Sequence, residues 1–261
     1  MDLHLTDKVV VVTGASRGIG LAIARAFAEE GARVAAGARD PGPALADLAF
    51  SHGLEPVAAD LGTPEGVERL VGAAVERFGG IDVLVNNVGS ASLRLDGTAS
   101  VTDEDWLDTI NLNLLSAVRA TRAALPNLIA SRGSIVTISS VNAVMPEPGL
   151  IDYSAAKSAL ASYAKALSKE VSPQGVRVNT ITLGPVSTDL LESQVDRMAR
   201  AMGVTREAAI ERYVAGVGGL ASGRFTRPDE VADLVLMLAS DRTGNVTGAD
   251  ITADGGLVKT L

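Results

Sequence analysis

The chain has 261 residues, of which 47% are hydrophobic but only 3% aromatic, and its formal net charge is −8. An acidic chain without a basic stripe is a poor nucleic-acid binder, and one without cysteine has no disulfides, thiol catalysis or cysteine-held zinc. Two histidines, His4 and His52, are too few for a multi-histidine metal centre, so no metal site is expected.

Residues 9–12 form a short apolar run that predicts a buried strand, ending in Thr13-Gly14-Ala15-Ser16-Arg17-Gly18-Ile19-Gly20. An Ala-rich helix follows to Glu30, with Gly31 as its stop. Residues 34–38 read as a second strand, 44–51 as a helix and 57–59 as a third strand. Thr63 as N-cap and Pro64 in the first turn open a helix that ends near Phe78. A fourth strand at 82–86 runs into Asn86-Asn87-Val88-Gly89. After a long loop, Thr102-Asp103-Glu104-Asp105 has the form of a capping box, and its helix continues towards Ala130 with a disturbance expected at Pro126. Next come a strand ending at Ser139-Ser140, the helix that bears Tyr153 and Lys157, and a strand at 176–182. Residues 187–221 are an irregular helical excursion, followed by a helix at 228–239 and a last strand at 249–252.

Strands and helices thus alternate along nearly the whole chain. The pattern predicts one α/β domain over 1–261, a doubly wound (Rossmann) seven-stranded parallel sheet with helices on both faces. Its apolar content is mainly Ala, Val, Leu and Ile, which suits strands buried on both sides. Such sheets bind ligands at the carboxyl ends of their strands. No apolar run approaches the ~18 residues of a membrane helix, and residues 1–8 lack a signal-peptide core, so the expectation is a soluble, cytoplasmic protein.

Two stretches carry chemistry. Gly14, Gly18 and Gly20 fall at the first strand-to-helix turn, where glycine admits close backbone approach and a helix N-terminus favours phosphate. The same residues also spell Gly14-x-Ser16-x-Gly18, the form of a hydrolase nucleophile elbow. That rival needs an acid and then a histidine after the serine, and only His52 follows. Tyr153 and Lys157, four apart, share a helix face, and a nearby ammonium lowers a phenol's pKa from its usual ~10. Ser140, at the mouth of a strand, adds a hydroxyl suited to hydrogen-bonding a polarised oxygen.

Taken together, these motifs resemble the short-chain dehydrogenase/reductase family over almost the entire chain. Residues 13–20 resemble its cofactor glycine motif, Asp60 its adenine-side acid, and Asn86 to Gly89 its Asn-Asn-Ala-Gly motif with Val88 for alanine. Asn113, Ser140, Tyr153 and Lys157 have the spacing of its catalytic residues. The resemblance implies that Tyr153 exchanges a proton with the substrate oxygen as hydride moves to or from a nicotinamide. It further implies that Ser140 binds that oxygen, that Lys157 holds the nicotinamide ribose and lowers the Tyr153 pKa, and that Asn113 helps hold a relay water. Cofactor contacts are expected from Gly14, Ser16, Arg17, Gly18, Ile19 and Gly20, from Arg39, Asp60, Leu61, Asn87 and Gly89, and from Gly184, Val186 and Thr188 besides Tyr153 and Lys157. Leu183-Gly184-Pro185 departs from the family's usual Pro-Gly, so the path of this loop is open.

The second strand ends at Ala38 and Arg39 rather than at an acid, and Arg17 lies in the glycine loop. NADP(H) is therefore expected over NAD(H). The expected activity is NADPH-dependent reduction of a ketone, 3-oxoacyl-like or bulky and apolar. The alternatives are an NAD-dependent alcohol dehydrogenase and a non-catalytic nicotinamide-binding regulator. The partner is a small carbonyl or alcohol substrate, and the resemblance implies a homotetramer. Residues 187–221 are expected to form a mobile lid over a mainly apolar pocket, with Leu190, Leu191, Val195, Met198 and Met202 on one side and Val144, Met145, Pro146 and Leu150 on the other, and with Glu147, Arg197 and Arg206 as candidate polar additions that read more simply as solvated charges.

Overall fold

The computed structural model describes residues 1–94 and 96–259, with Leu190 described in its backbone only. Its first half alternates β1 (Val9–Thr13), α1 (Gly18–Glu29), β2 (Arg33–Ala38), α2 (Gly42–His52), β3 (Glu55–Ala58), α3 (Pro64–Phe78) and β4 (Val83–Asn86). Then follow α4 (Asp103–Ile110), α5 (Ser116–Ser131), β5 (Ser134–Ser140), α6 (Ile151–Val171) and β6 (Arg177–Leu183). The chain ends with α7 (Asp189–Met202), α8 (Arg206–Gly216), α9 (Pro228–Ala239) and β7 (Asp250–Ala253).

The strands form one seven-stranded sheet, as the sequence pattern predicted, and its order is β3-β2-β1-β4-β5-β6-β7. All pairings are parallel. Strand side chains alternate between faces, and the two cores show it residue by residue. Val10, Val12, Val34, Ala36, Val83, Val85, Val136 and Ile138 pack under α1, α2 and α9. Their neighbours Val11, Ala35, Leu84 and Ile135 pack under α3, α5 and α6. Order reverses between β1 and β4, which opens a crevice at the carboxyl edge there.

The local signals hold. Thr63 caps α3 by accepting from the Gly66 N–H, and Thr102 and Asp105 close a reciprocal capping box on α4. The disturbance expected at Pro126 lies elsewhere. Pro126 sits inside α5, and the irregular turn is a single π-helical one, Asn111–Leu115, between α4 and α5. Such a turn needs a partner for a freed backbone carbonyl, and Asn113 supplies it by donating from Nδ2 to the Thr109 carbonyl at 3.0 Å.

The excursion after β6 is helical, as expected, and consists of two capped helices. Thr188 caps α7 and Thr205 caps α8. These helices bury a small core of their own, in which Leu191, Val195, Ala199 and Ala209 meet Leu220, Phe225 and Leu257. Tyr213 and Phe225 meet edge to face with ring centroids 5.6 Å apart. Arg206 on α8 pairs with Glu192 and Asp196 on α7.

Candidate active site

Two joined cavities occupy the carboxyl edge of the sheet. The first, about 630 Å³, begins at the turn between β1 and α1. Gly14 has φ +70°, and a Cβ on Gly20 would stand 2.2 Å from the Gly14 carbonyl oxygen, so only glycine permits this turn. Asn87 fixes it from β4, donating from Nδ2 to the Thr13 and Gly14 carbonyls at 2.9 and 3.0 Å. Arg17, the N-cap of α1, makes no side-chain cap bond, and the first turn carries no acid. The first N–H groups of α1 therefore open into the cavity without a side-chain partner, which is the arrangement that binds a phosphate.

Ser16, Arg17, Gly18 and Ile19 line this cavity, as do Arg39, Asp60, Leu61 and Gly89. Asp60 accepts the Gly62 N–H at 3.0 Å, which sets the rim of the loop after β3. Asp40 lines the same cavity beside Arg39 and accepts the Gly42 N–H at 3.1 Å. Arg17 and Arg39 are exposed and form no ion pair among the described residues. The residues present thus fit a dinucleotide: glycines for close approach, a helix N-terminus for the diphosphate, and in the cavity wall two arginines, Arg39 just after β2 and Arg17 at the start of α1.

The second cavity, about 390 Å³, shares Ile19, Asn87, Gly89, Ser90 and Thr188 with the first, so the two form one trough. Ser140, Tyr153 and Lys157 converge on it, from the end of β5 and the first two turns of α6. Gly184 and Val186 line this half only. The Leu183-Gly184-Pro185 loop is fixed: the Gly184 N–H donates to the Ala253 carbonyl at 3.1 Å, and Val186 bridges to Thr226. A Cβ on Gly184 would lie 2.8 Å from the Asp254 Cα, so this position also demands glycine.

The Ser140 hydroxyl donates to Asn142 Oδ1 at 3.1 Å and accepts the Asn142 N–H at 3.2 Å. Lys157 is 3% exposed, donates to the Ile138 carbonyl at 3.1 Å, and lies 5.8 Å from the Tyr153 ring centroid. Burial pushes its pKa down to about 8. Burial also raises the Tyr153 phenol, with a smaller opposing effect from its hydrogen bond to Ser140. The expectation that Lys157 sets the Tyr153 acidity thus misses the larger influence in the protein alone. One desolvated pocket works on both groups, disfavouring phenolate and ammonium alike.

Asn113 lies outside both cavities and is 1% exposed. Its Oδ1 accepts the Ser90 N–H at 3.0 Å while its Nδ2 donates to the Ser90 and Thr109 carbonyls. The side chain is saturated by the cavity wall, and its direct effect is to position the loop at Ser90. Arg94, further along this loop, donates to Asp152 at 2.6 Å and Asp105 at 2.8 Å, and its N–H donates to the Gly149 carbonyl. Asp152 is 1% exposed and precedes Tyr153; burial pushes its carboxyl up, but Arg94, Thr109 and the Tyr153 N–H outweigh this and hold it low.

The pocket is mainly apolar, as expected, with polar groups in its wall. Val141, Met145, Leu150, Leu191 and Leu257 line it, but so do Asn142, Glu147, Gln194 and Tyr213. Val144 is 63% exposed and Met202 44% exposed, and neither lines it; Pro146, Val195 and Met198 are also absent from its wall. Val195 and Met198 face the excursion's own core. The side chain of Leu190 lies outside the described residues. Asn142 and Leu257 escaped the sequence reading. Asn142 was findable, standing two residues beyond Ser140, whereas nothing local brings Leu257 from the C-terminal region to the cavity.

A doubly wound sheet with a dinucleotide trough ending at Ser140, Tyr153 and Lys157 defines an oxidoreductase of nicotinamide type. Comparison with known proteins agrees. A family profile described as "Enoyl-(Acyl carrier protein) reductase" matches residues 14–258. The 3-oxoacyl-[acyl-carrier-protein] reductase of Thermotoga maritima is 34% identical, over 98% of this chain and 100% of the relative. The L-sorbose reductase of Gluconobacter frateurii, solved with NADPH and L-sorbose, superposes with TM-score 0.94 at 34% identity, covering 100% of both chains. The ligand-free aldohexose dehydrogenase of Thermoplasma acidophilum gives TM-score 0.86 at 31% identity, covering 100% of this chain and 98% of that one. The chain belongs to the short-chain dehydrogenase/reductase family and is an NAD(P)-dependent oxidoreductase acting on CH–OH and carbonyl groups. No helix among the described residues is long and apolar enough to cross a membrane.

Proposed function

We propose that the protein is an NADPH-dependent ketone reductase. The observation that carries this reading is the convergence of Ser140, Tyr153 and Lys157 on a cavity continuous with the dinucleotide trough. When bound, the nicotinamide supplies the hydride, and this chain's own residues act on the substrate oxygen. Tyr153 gives its phenolic proton to that oxygen. The Ser140 hydroxyl, which bonds Asn142 Oδ1 in the structure, turns to donate to the same oxygen. Lys157 places its ammonium beside the phenolate left behind and favours it. Asn113 holds the loop at Ser90 against this machinery. The reverse reaction uses the same groups with the proton moving the other way.

Support for NADPH comes from Arg17 and Arg39, two guanidiniums that line the trough and form no ion pair among the described residues; Asp40 lines it beside them. The nucleotide in the Gluconobacter frateurii structure is NADPH. Charge-assisted hydrogen bonds contribute about 1.5–3 kcal/mol each, so Arg39→Ala is expected to lower kcat/KM with NADPH by ~10–100-fold and with NADH by less than about threefold. A wild-type preference for NADH contradicts the assignment and favours the NAD-dependent alcohol dehydrogenase.

We also propose that the chain forms a homotetramer through α4, α5 and α6. α4 buries none of its residues within the protomer, and Leu107 on it is 67% exposed. Light scattering at micromolar concentration is expected to give four times the 26.7 kDa chain mass, and a monomer there contradicts it. The excursion at 187–221 is read as the lid over the cavity, its helices packed on Val141 and Leu257 of the cavity wall.

A further inference from the structure

We infer that Glu147 is a specificity-determining residue, and that it makes the cavity select uncharged, hydroxyl-bearing ketones over anionic ones. The inference rests on the ketone-reductase reading and names its substrate class. Glu147 lines the cavity that holds Ser140 and Tyr153. Its backbone is fixed on both sides: its N–H meets the Ser154 hydroxyl at 3.4 Å, one residue past Tyr153, and its carbonyl accepts the Leu150 N–H at 2.9 Å. The segment bearing the carboxylate is therefore tied to the catalytic helix. The carboxylate is exposed and joins no ion pair among the described residues.

Among the described residues Lys157 is the one basic residue lining this cavity, and it is buried and bonded to the Ile138 carbonyl. Arg94, on the loop joined to Gly149, is held by Asp152 and Asp105. Arg206 in the lid is held by Glu192 and Asp196. A ketone bearing a carboxylate or phosphate thus meets a like charge at the mouth and, inside, no counter-charge but the buried Lys157 ammonium, in a chain whose net charge is −8. The remaining polar wall suits hydroxyls. Gln194 and Tyr213 line the cavity with Glu147, and each has a side chain able to bond a hydroxyl. A wholly apolar substrate leaves these groups unpaired, which a site tolerates poorly.

Two matched pairs test this by ratios of kcat/KM, in which effects common to both members cancel. Methyl acetoacetate and acetoacetate differ in charge, and hydroxyacetone and butanone differ in a hydroxyl. The wild type is expected to favour the ester over the acid, and the hydroxyketone over butanone, by ~10-fold or more each. Glu147→Gln removes the charge and keeps hydrogen bonding, so it is expected to lower the first ratio by ~10-fold and move the second by less than about threefold. Glu147→Lys is expected to reverse the first ratio, and Glu147→Ala to lower both. Equal use of ester and acid by the wild type, or a first ratio unmoved in both Gln and Lys variants, overturns the inference. So does a wild-type preference for butanone. If no ketone is reduced with either cofactor, the ketone-reductase reading itself falls; reduced ketones with the wrong ratios leave that reading intact and refute only the role of Glu147.

Discussion

Tyr153→Phe is expected to lower kcat for ketone reduction by ~10²–10⁴-fold, the usual contribution of a positioned acid, while the dissociation constant for NADPH changes by less than about twofold. The phenol lines the substrate half of the trough and not the half around the glycine turn. Phenylalanine keeps the ring and removes only the proton to be transferred. The variant should therefore quench or enhance nicotinamide fluorescence on binding as the wild type does, with turnover almost gone. A variant that keeps more than about half the activity shows that another group protonates the oxygen.

Lys157→Met is expected to lower kcat by ~10²-fold or more and, in the protein without cofactor, to raise stability. The reason is burial, which takes the lysine from 10.5 in the open chain to about 8. At ~1.4 kcal/mol per pH unit, holding the ammonium in the folded protein costs up to about 3 kcal/mol. Between the two values the unfolded chain binds more protons than the folded one, so stability rises with pH there. The cost is full below about pH 8 and fades by 10.5. The methionine variant should accordingly melt higher than wild type at neutral pH and lose that advantage as pH rises through this window. The same group predicts that kcat/KM for NADPH, which reports the free enzyme, falls above about pH 8. A methionine variant less stable than wild type at neutral pH would show that the bond to the Ile138 carbonyl outweighs burial.

The fold was legible because its signals are local and repeat. Strand runs such as 9–12, caps such as Thr63 and Thr102, and the glycines after β1 each act within a few residues. The cofactor trough was legible for the same reason, since Gly14 to Gly20 sit on one turn. What escaped depends on distant chain. Pro126 reads as a helix breaker, yet α5 accommodates it, while the real irregularity at Asn111–Leu115 is supported by bonds from Asn113 to Ser90, across a loop. The helical spacing of Val195 and Met198 was real, but it served packing against α8 and the C-terminal region rather than the pocket. Periodicity shows that a face is apolar and not what lies against it.

The most direct test of the central claim follows the hydride itself. The protein is given NADPH carrying deuterium at the nicotinamide carbon that delivers hydride, with hydroxyacetone as the ketone, and the product is read by NMR. The account predicts deuterium on the new carbinol carbon, in equal amount to the NADPH oxidised, with the signal falling to background in the Tyr153→Phe protein. NADPH binding without oxidation by any ketone, or a carbinol formed without deuterium, would contradict it.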